Sequence, residues 1–159
     1  LLVPDFIAYR KQNERQVPRM TKPKVAFICV HNSCRSQIAE ALGKHFAADV
    51  FESFSAVSET KPQINKDAVR LMKDLYGIDM EQAQFSKTFD SIPEPDIAIS
   101  MGCDVGCPYI GRAFDDNWAL PDPTGQSDKV FRETVSQIEQ RIIQLKTQIQ
   151  GGVYREKKI

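Results

Sequence analysis

The chain has 159 residues, enough for one compact domain with its own hydrophobic core. Hydrophobic residues make up 42% of it and 21 basic residues balance 21 acidic ones, a neutral sum that argues against a broad nucleic-acid or anionic-membrane surface. No apolar run approaches the roughly 20 residues of a membrane span, so neither a nucleic-acid nor a membrane partner is expected; a small anion site remains compatible, because one arginine and a ring of backbone amides leave no mark on the totals.

Residues 1–22 lack an initiating methionine, and Pro4 and Asp5 interrupt their only apolar patch, which is not the pattern of a signal peptide. Met20 lies just ahead of the first clear strand, so residues 1–19 read as an added leader. That strand is Val25-Ala26-Phe27-Ile28, a short apolar run of the kind buried on both faces in parallel sheets. It leads straight into Cys29-Val30-His31-Asn32-Ser33-Cys34-Arg35-Ser36, and a helix follows with Ile38, Leu42 and His45/Phe46 at helical spacing. Residues 50–55 suit a second strand. Asn65 is placed to cap a helix with Ala68, Leu71/Met72 and Leu75 on its inner face and Gly77 at its end.

A polar stretch with a short helix near residues 85–89 precedes another buried strand, residues 96–100. A long loop region then carries Cys103, Cys107, Trp118 and Asp122. The last helix is the clearest, with Phe131, Val135, Ile138, Ile142, Leu145 and Ile149 at alternating steps of four and three. Strands alternating with helices indicate an α/β fold with a mainly parallel sheet, in which ligands bind beyond the carboxyl ends of the strands. Cys29 and Cys103 both fall at such ends. The four cysteines form two close pairs in a chain that needs no staples, which points to a reducing, cytoplasmic setting and to thiols that do chemistry.

Cys-x5-Arg between a buried strand and a helix has a physical logic. Residues 30–34, namely Val30, His31, Asn32, Ser33 and Cys34, are enough to curl backbone N–H groups around a tetrahedral oxyanion, and the helix N-terminus adds its partial positive charge. Arg35 grips two oxygens with its planar fork. The same field is expected to lower the pKa of Cys29 and make it a nucleophile, with Ser36 donating to the thiolate. Asn32 suits the loop's shape through its tolerance of left-handed backbone. Cys34 reads as structural support for the loop. His31, His45 and Trp118 are given no catalytic role, and Trp118 reads as core or rim packing.

Residues 27–40, from Phe27-Ile28-Cys29 through Cys34-Arg35-Ser36 to Ala39-Glu40, resemble the catalytic loop and first helix of low-molecular-weight protein tyrosine phosphatases. They are more similar still to the thioredoxin-coupled arsenate reductases built on that fold. The resemblance runs from about residue 24 to about residue 145 and implies a three-layer α/β/α architecture around a central four-stranded parallel sheet. It implies a single catalytic domain over 23–150, with 1–22 as an N-terminal leader and 151–159 as a C-terminal tail.

The phosphatases of this fold need only the anion loop and a general acid. This chain also has Cys103 and Cys107, and by the resemblance Cys103 is a second nucleophile and Cys107 the resolving thiol. If strands 25–28 and 96–100 are neighbours, as the family's strand order implies, Cys29 and Cys103 leave the same sheet edge. Strands about 4.8 Å apart then suit a disulfide whose Cα atoms want about 4.4–6.8 Å. A zinc half-site is the competing reading of Cys-x3-Cys, but only His31 and His45 are available beside the loop cysteines, so no metal and no cofactor is expected. Asp122-Pro123 matches the general acid of both enzyme groups. The phosphatases usually follow it with tyrosine, where this chain has Thr124. Val57 stands where the family often has glycine.

The resemblance thus implies arsenate reduction in arsenic detoxification, with arsenate and other tetrahedral oxyanions as ligands and thioredoxin as reductant. A tyrosine phosphatase is the alternative enzyme, and an oxyanion-binding or redox-sensing module the alternative without catalysis. Some of the similar reductases bind potassium near the loop, and Asn32, Glu40 and Ser55 match that site. Lys87 stands in place of its remaining acidic ligand, so no potassium requirement is expected.

Overall fold

The computed structural model describes residues 21–29, 34–57, 63–102 and 110–154. Residues 1–20 of the expected leader, the loop residues Val30, His31, Asn32 and Ser33, the pair Cys103 and Cys107, and residues 155–159 of the expected tail lie outside them.

Four strands, β1 (Lys24–Ile28), β2 (Glu52–Ala56), β3 (Ile97–Ser100) and β4 (Asp116–Asn117), form one sheet in the order β2-β1-β3-β4. Every pairing is parallel, as expected for α/β alternation. Among the described residues four helices accompany the strands, α1 (Arg35–Phe46), α2 (Lys66–Tyr76), the short α3 (Met80–Ala83) and α4 (Asp128–Gln150).

Period-two alternation sorts the strand residues between two cores. Val25, Phe27 and Cys29 join Ile97, Ile99 and Met101 in the larger core with Ile38, Leu42, Leu71, Phe131, Val135 and Ile142 from the helices. Ala26, Ile28, Ala56 and Ala98 face a smaller core with Ile110, covered by Phe89, Ile92 and Phe114. The fully buried Phe27, Phe131, Ile38 and Leu42 each contribute roughly 1.5–3 kcal/mol of burial. The central strand is therefore fixed from both sides, and its C-terminal residue Cys29 with it.

Helix ends follow their chemistry. The Asn65 side chain accepts from the N–H groups of Asp67 and Ala68, at 2.9 and 3.2 Å, and Gly77 closes α2 in the left-handed region at φ 68°. Ser127 caps α4 by accepting from Val130 N–H at 3.3 Å. Two expectations need correction. Leu75 is 45% exposed rather than internal, because Ala68, Leu71 and Met72 already fill the face of α2 turned to the core. The helix expected over 85–89 is instead α3 at Met80–Ala83, capped by Asp79, followed by a 3₁₀ turn at Phe89–Ser91. Between them the chain runs alongside β2, bridging Thr88 to Val57. Among the described residues no helix is long and apolar enough to cross a membrane.

Candidate active site

β1 and β3 lie side by side with Ile28 opposite Ser100, and the Met101 N–H donates to the Ile28 carbonyl at 2.9 Å. Cys29 and the segment entering Cys103 therefore leave the sheet at one level, as expected from adjacent strands. Cys29 is 1% exposed and its Sγ lies 2.9 Å from Ser36 Oγ. Cys34 occupies the N-cap of α1 without making a side-chain cap bond, and the first turn of α1 carries no acidic residue. That end of the helix is thus arranged for an anionic ligand rather than for an internal cap.

Arg35 opens α1 and reaches back over the strand ends. Its Nη1 donates to the carbonyl of Leu120 at 2.6 Å, with those of Gly102 and Met101 at 3.3 and 3.4 Å. One side chain therefore ties the anion loop to the start of the cysteine segment and to the stretch that carries Asp122. Its charge acts on Cys29 and Cys34, where the Asp122 carboxylate opposes it.

The protonation of Cys29 departs from the sequence expectation. Burial pushes its thiol above the usual value, against the pull of the Ser36 hydroxyl, the Ser36 backbone and the Arg35 charge, while the Asp122 carboxylate adds to the rise. Desolvation of a sulfur at the end of a central strand outweighs the neighbouring donors. Cys34 is pushed up to about 12, by burial first and then by Asp122; the Thr124 hydroxyl pulls the other way. Neither thiol is joined in a disulfide among the described residues. Asp122 and Thr124 are thus brought beside the loop. Thr124 donates its N–H and its hydroxyl to Asp122 Oδ1 at 3.0 and 2.7 Å.

Two residues here were not singled out in the sequence. Gly102, at φ 119°, packs so close to Leu120 that a Cβ would meet its carbonyl at 3.0 Å and its nitrogen at 3.1 Å, with Arg35 Nη1 at 3.2 Å. Ala119 takes a left-handed φ of 48°, with the Asn117 side chain accepting from its N–H at 3.0 Å, and this turn delivers the Leu120 carbonyl to Arg35. A glycine between Met101 and Cys103 was a readable hint; Ala119 offered none. Trp118 is buried with its ring 5.4 Å from that of Phe27, the packing role expected of it. His45 is exposed and stacks edge-on with Phe46 and Tyr76.

Further along α1, Glu40 is 2% exposed. Its Oε1 accepts from Ser55 N–H at 2.9 Å, Ser55 Oγ at 3.1 Å and Lys87 Nζ at 3.2 Å, and its Oε2 from Lys44 Nζ at 3.0 Å. Lys87 also donates to the Phe85 carbonyl at 3.2 Å. An ammonium set on Glu40 and Ser55 does not suit a potassium ion at the same place, since two cations would compete for one carboxylate.

Comparison with known proteins agrees with this geometry. The sequence profile described as "Low molecular weight phosphotyrosine protein phosphatase" matches residues 24–105. The "Glutaredoxin arsenate reductase" of Synechocystis sp. is 34% identical over 124 residues, covering 75% of this chain and 92% of its own. A solved structure described as an arsenate reductase in the phosphate binding state superposes with a TM-score of 0.70 at 34% identity, over 81% of this chain and 99% of that one. A thioredoxin-dependent arsenate reductase from Corynebacterium glutamicum is 36% identical with a TM-score of 0.64, over 86% of this chain and 66% of that one. A parallel sheet that ends in a buried cysteine, a serine against its sulfur, an arginine opening the next helix and this set of relatives lead to one assignment: the chain belongs to the low molecular weight phosphotyrosine protein phosphatase family, among its arsenate reductases.

Proposed function

We propose that the chain reduces arsenate to arsenite by a three-thiol relay, with Cys29 as first nucleophile, Cys103 as second and Cys107 as resolving thiol. The observation that carries this reading is the placement of Cys29 Sγ 2.9 Å from Ser36 Oγ at the mouth of a helix that is opened by Arg35 and whose N-cap side chain, Cys34, makes no cap bond. The relatives named above supply the reaction.

Because burial holds the Cys29 proton, the thiolate forms as the oxyanion docks: the proton passes to an arsenate oxygen, and Arg35 with the backbone amides of residues 30–34 holds both charges. The thiolate attacks arsenic, a sulfur–arsenic bond forms, and one arsenic–oxygen bond breaks. Asp122 protonates the departing oxygen, which leaves as water. The Cys103 thiolate then attacks Cys29 Sγ. A sulfur–sulfur bond forms, the sulfur–arsenic pair stays on arsenic, and arsenite departs with arsenic two electrons richer. Cys107 attacks Cys103 and frees Cys29, leaving a Cys103–Cys107 disulfide for an external dithiol to reduce. Cys34 supports the loop, and Ser36 accompanies the Cys29 sulfur in both its bonded and departing states.

Thioredoxin is the reductant we propose, in a cytoplasmic setting that keeps thiols reduced. The Synechocystis relative is named for glutaredoxin, so the test includes both. Arsenite production is measured with thioredoxin, thioredoxin reductase and NADPH, and separately with glutaredoxin and glutathione, beside the Cys103→Ser and Cys107→Ser variants. Turnover with thioredoxin that is lost in both variants is expected. Turnover with glutaredoxin alone would replace the reductant. No arsenite, with p-nitrophenyl phosphate still hydrolysed, would overturn the relay in favour of the phosphatase reading.

A further inference from the structure

Asp122 has to present a proton at one place and in one direction, yet it sits in an exposed stretch between two prolines. Pro123 is buried, and residues 123–126 form a tight turn in which Gln126 N–H donates to the Pro123 carbonyl at 2.9 Å and Gly125 takes φ 77°. That turn aims the Thr124 N–H back at Asp122 Oδ1, at 3.0 Å, and the Thr124 hydroxyl reaches the same oxygen at 2.7 Å. A carboxyl oxygen that accepts two donors cannot also carry the acid proton without turning one of them away. The proton is therefore directed to Oδ2.

The Thr124 hydroxyl is also among the groups that act on the Cys34 thiol, where it pulls the pKa down against burial and Asp122. The turn that holds Asp122 therefore lies against the start of α1.

We propose that Thr124 is a positioning residue for the Asp122 acid: its N–H and hydroxyl fix Oδ1 and so leave Oδ2 to hold the proton delivered to the departing oxygen. This rests on the role given to Asp122 above. In the reaction, the Oδ2–H bond breaks as the hydrogen joins the oxygen leaving arsenic, and the carboxylate left behind is held by the two Thr124 donors until solvent restores the proton.

The test measures single-turnover arsenite release, and its pH profile, for Thr124→Val, Thr124→Ser, Asp122→Asn and the double variant Asp122→Asn/Thr124→Val. Loss of the hydroxyl in Thr124→Val is expected to lower the rate about tenfold, a part of the 10²–10⁴ that a general acid supplies. The concentration of arsenate giving half-maximal rate should stay the same. The alkaline limb should move upward, since a carboxylate stripped of a donor holds its proton longer. Thr124→Ser should restore most of the rate, and the double variant should match Asp122→Asn alone. A Thr124→Val protein with the parental rate and profile beside an impaired Asp122→Asn would overturn the positioning role, as would multiplicative losses in the double variant. A fully active Asp122→Asn would overturn the acid assignment itself, and this proposal with it.

Discussion

Helix α1 carries two polar regions that are built on opposite plans. Midway along it, buried Glu40 is surrounded by two lysines and Ser55, so charge meets charge. At its N-terminus, the described hydrogen bonds of Arg35 go to the carbonyls of Leu120, Gly102 and Met101. Carbonyl dipoles orient a guanidinium without cancelling its charge, whereas two ammoniums neutralise a carboxylate. The first plan fixes α1 to β2 and the segment around residue 87. The second holds a guanidinium by dipoles at the proposed site. Paired charges mark the scaffold here.

The strongest way to break this contrast is at Arg35. Arg35→Lys keeps a charge but loses the fork, and a fall of about 10²–10³ in the rate of arsenite release is expected, the scale of losing a preorganised donor to an oxyanion. A rate within threefold of the parent would mean that the arginine serves the carbonyls alone. Cys34 sharpens the contrast next, as an acid kept neutral at the site end. Its folded value of about 12 exceeds its ordinary 9.0, so the folded form holds the proton that an unfolded chain releases. That stability is complete below pH 9 and is lost as pH rises through about 12, by roughly 4 kcal/mol at the upper end. Denaturant unfolding across this window should show a shallower decline for Cys34→Ala; parallel curves would show that the thiol contributes nothing to it.

At the scaffold end, Lys87→Met leaves Glu40 with one of its two ammoniums and is expected to destabilise the fold by roughly 2–3 kcal/mol. Adding Glu40→Gln should return part of that loss. The parent enzyme should show equal activity and melting temperature in potassium and sodium chloride; a rise with potassium would show that Lys87 does not stand in for the cation. The smallest effect concerns the place where Arg35 touches the cysteine segment. Gly102→Ala puts a Cβ at φ 119° within 3.0–3.2 Å of Leu120 and Arg35, and a loss of about 1–3 kcal/mol is expected. Chemical denaturation of that variant, read beside its arsenite release, would tell whether the close packing matters to both.

Much of this was legible in the sequence because it is locally encoded. The strand Val25–Ile28, the Asn65 cap and the Gly77 stop need only their own neighbourhood, and the apolar stripe of α4 only its own period. Cys29, Arg35 and Ser36 were legible because seven residues of chain bring them together. What escaped depends on distant or marginal terms. β4 is two polar residues long and exists by pairing with β3. Ala119 adopts an unfavourable backbone that no alanine advertises, sustained by Asn117 and by its neighbour's bond to Arg35. The direction of the Cys29 shift escaped because loop chemistry is written locally, whereas desolvation depends on the whole fold. Leu75 followed helical spacing, but spacing does not say how wide the buried stripe is.

The parallel register of Ile28 opposite Ser100 has one more consequence. Three of the four strands, with Cys29, Arg35 and Ser36, are in place by residue 100, and β4 and the Leu120 carbonyl that Arg35 meets follow residue 109. On the proposed reading, the framework on either side of residues 103–109 is a socket for the oxyanion, and those residues carry the electrons. Exchanging residues 103–109 for a short cysteine-free turn should leave the socket intact and change only what is plugged into it.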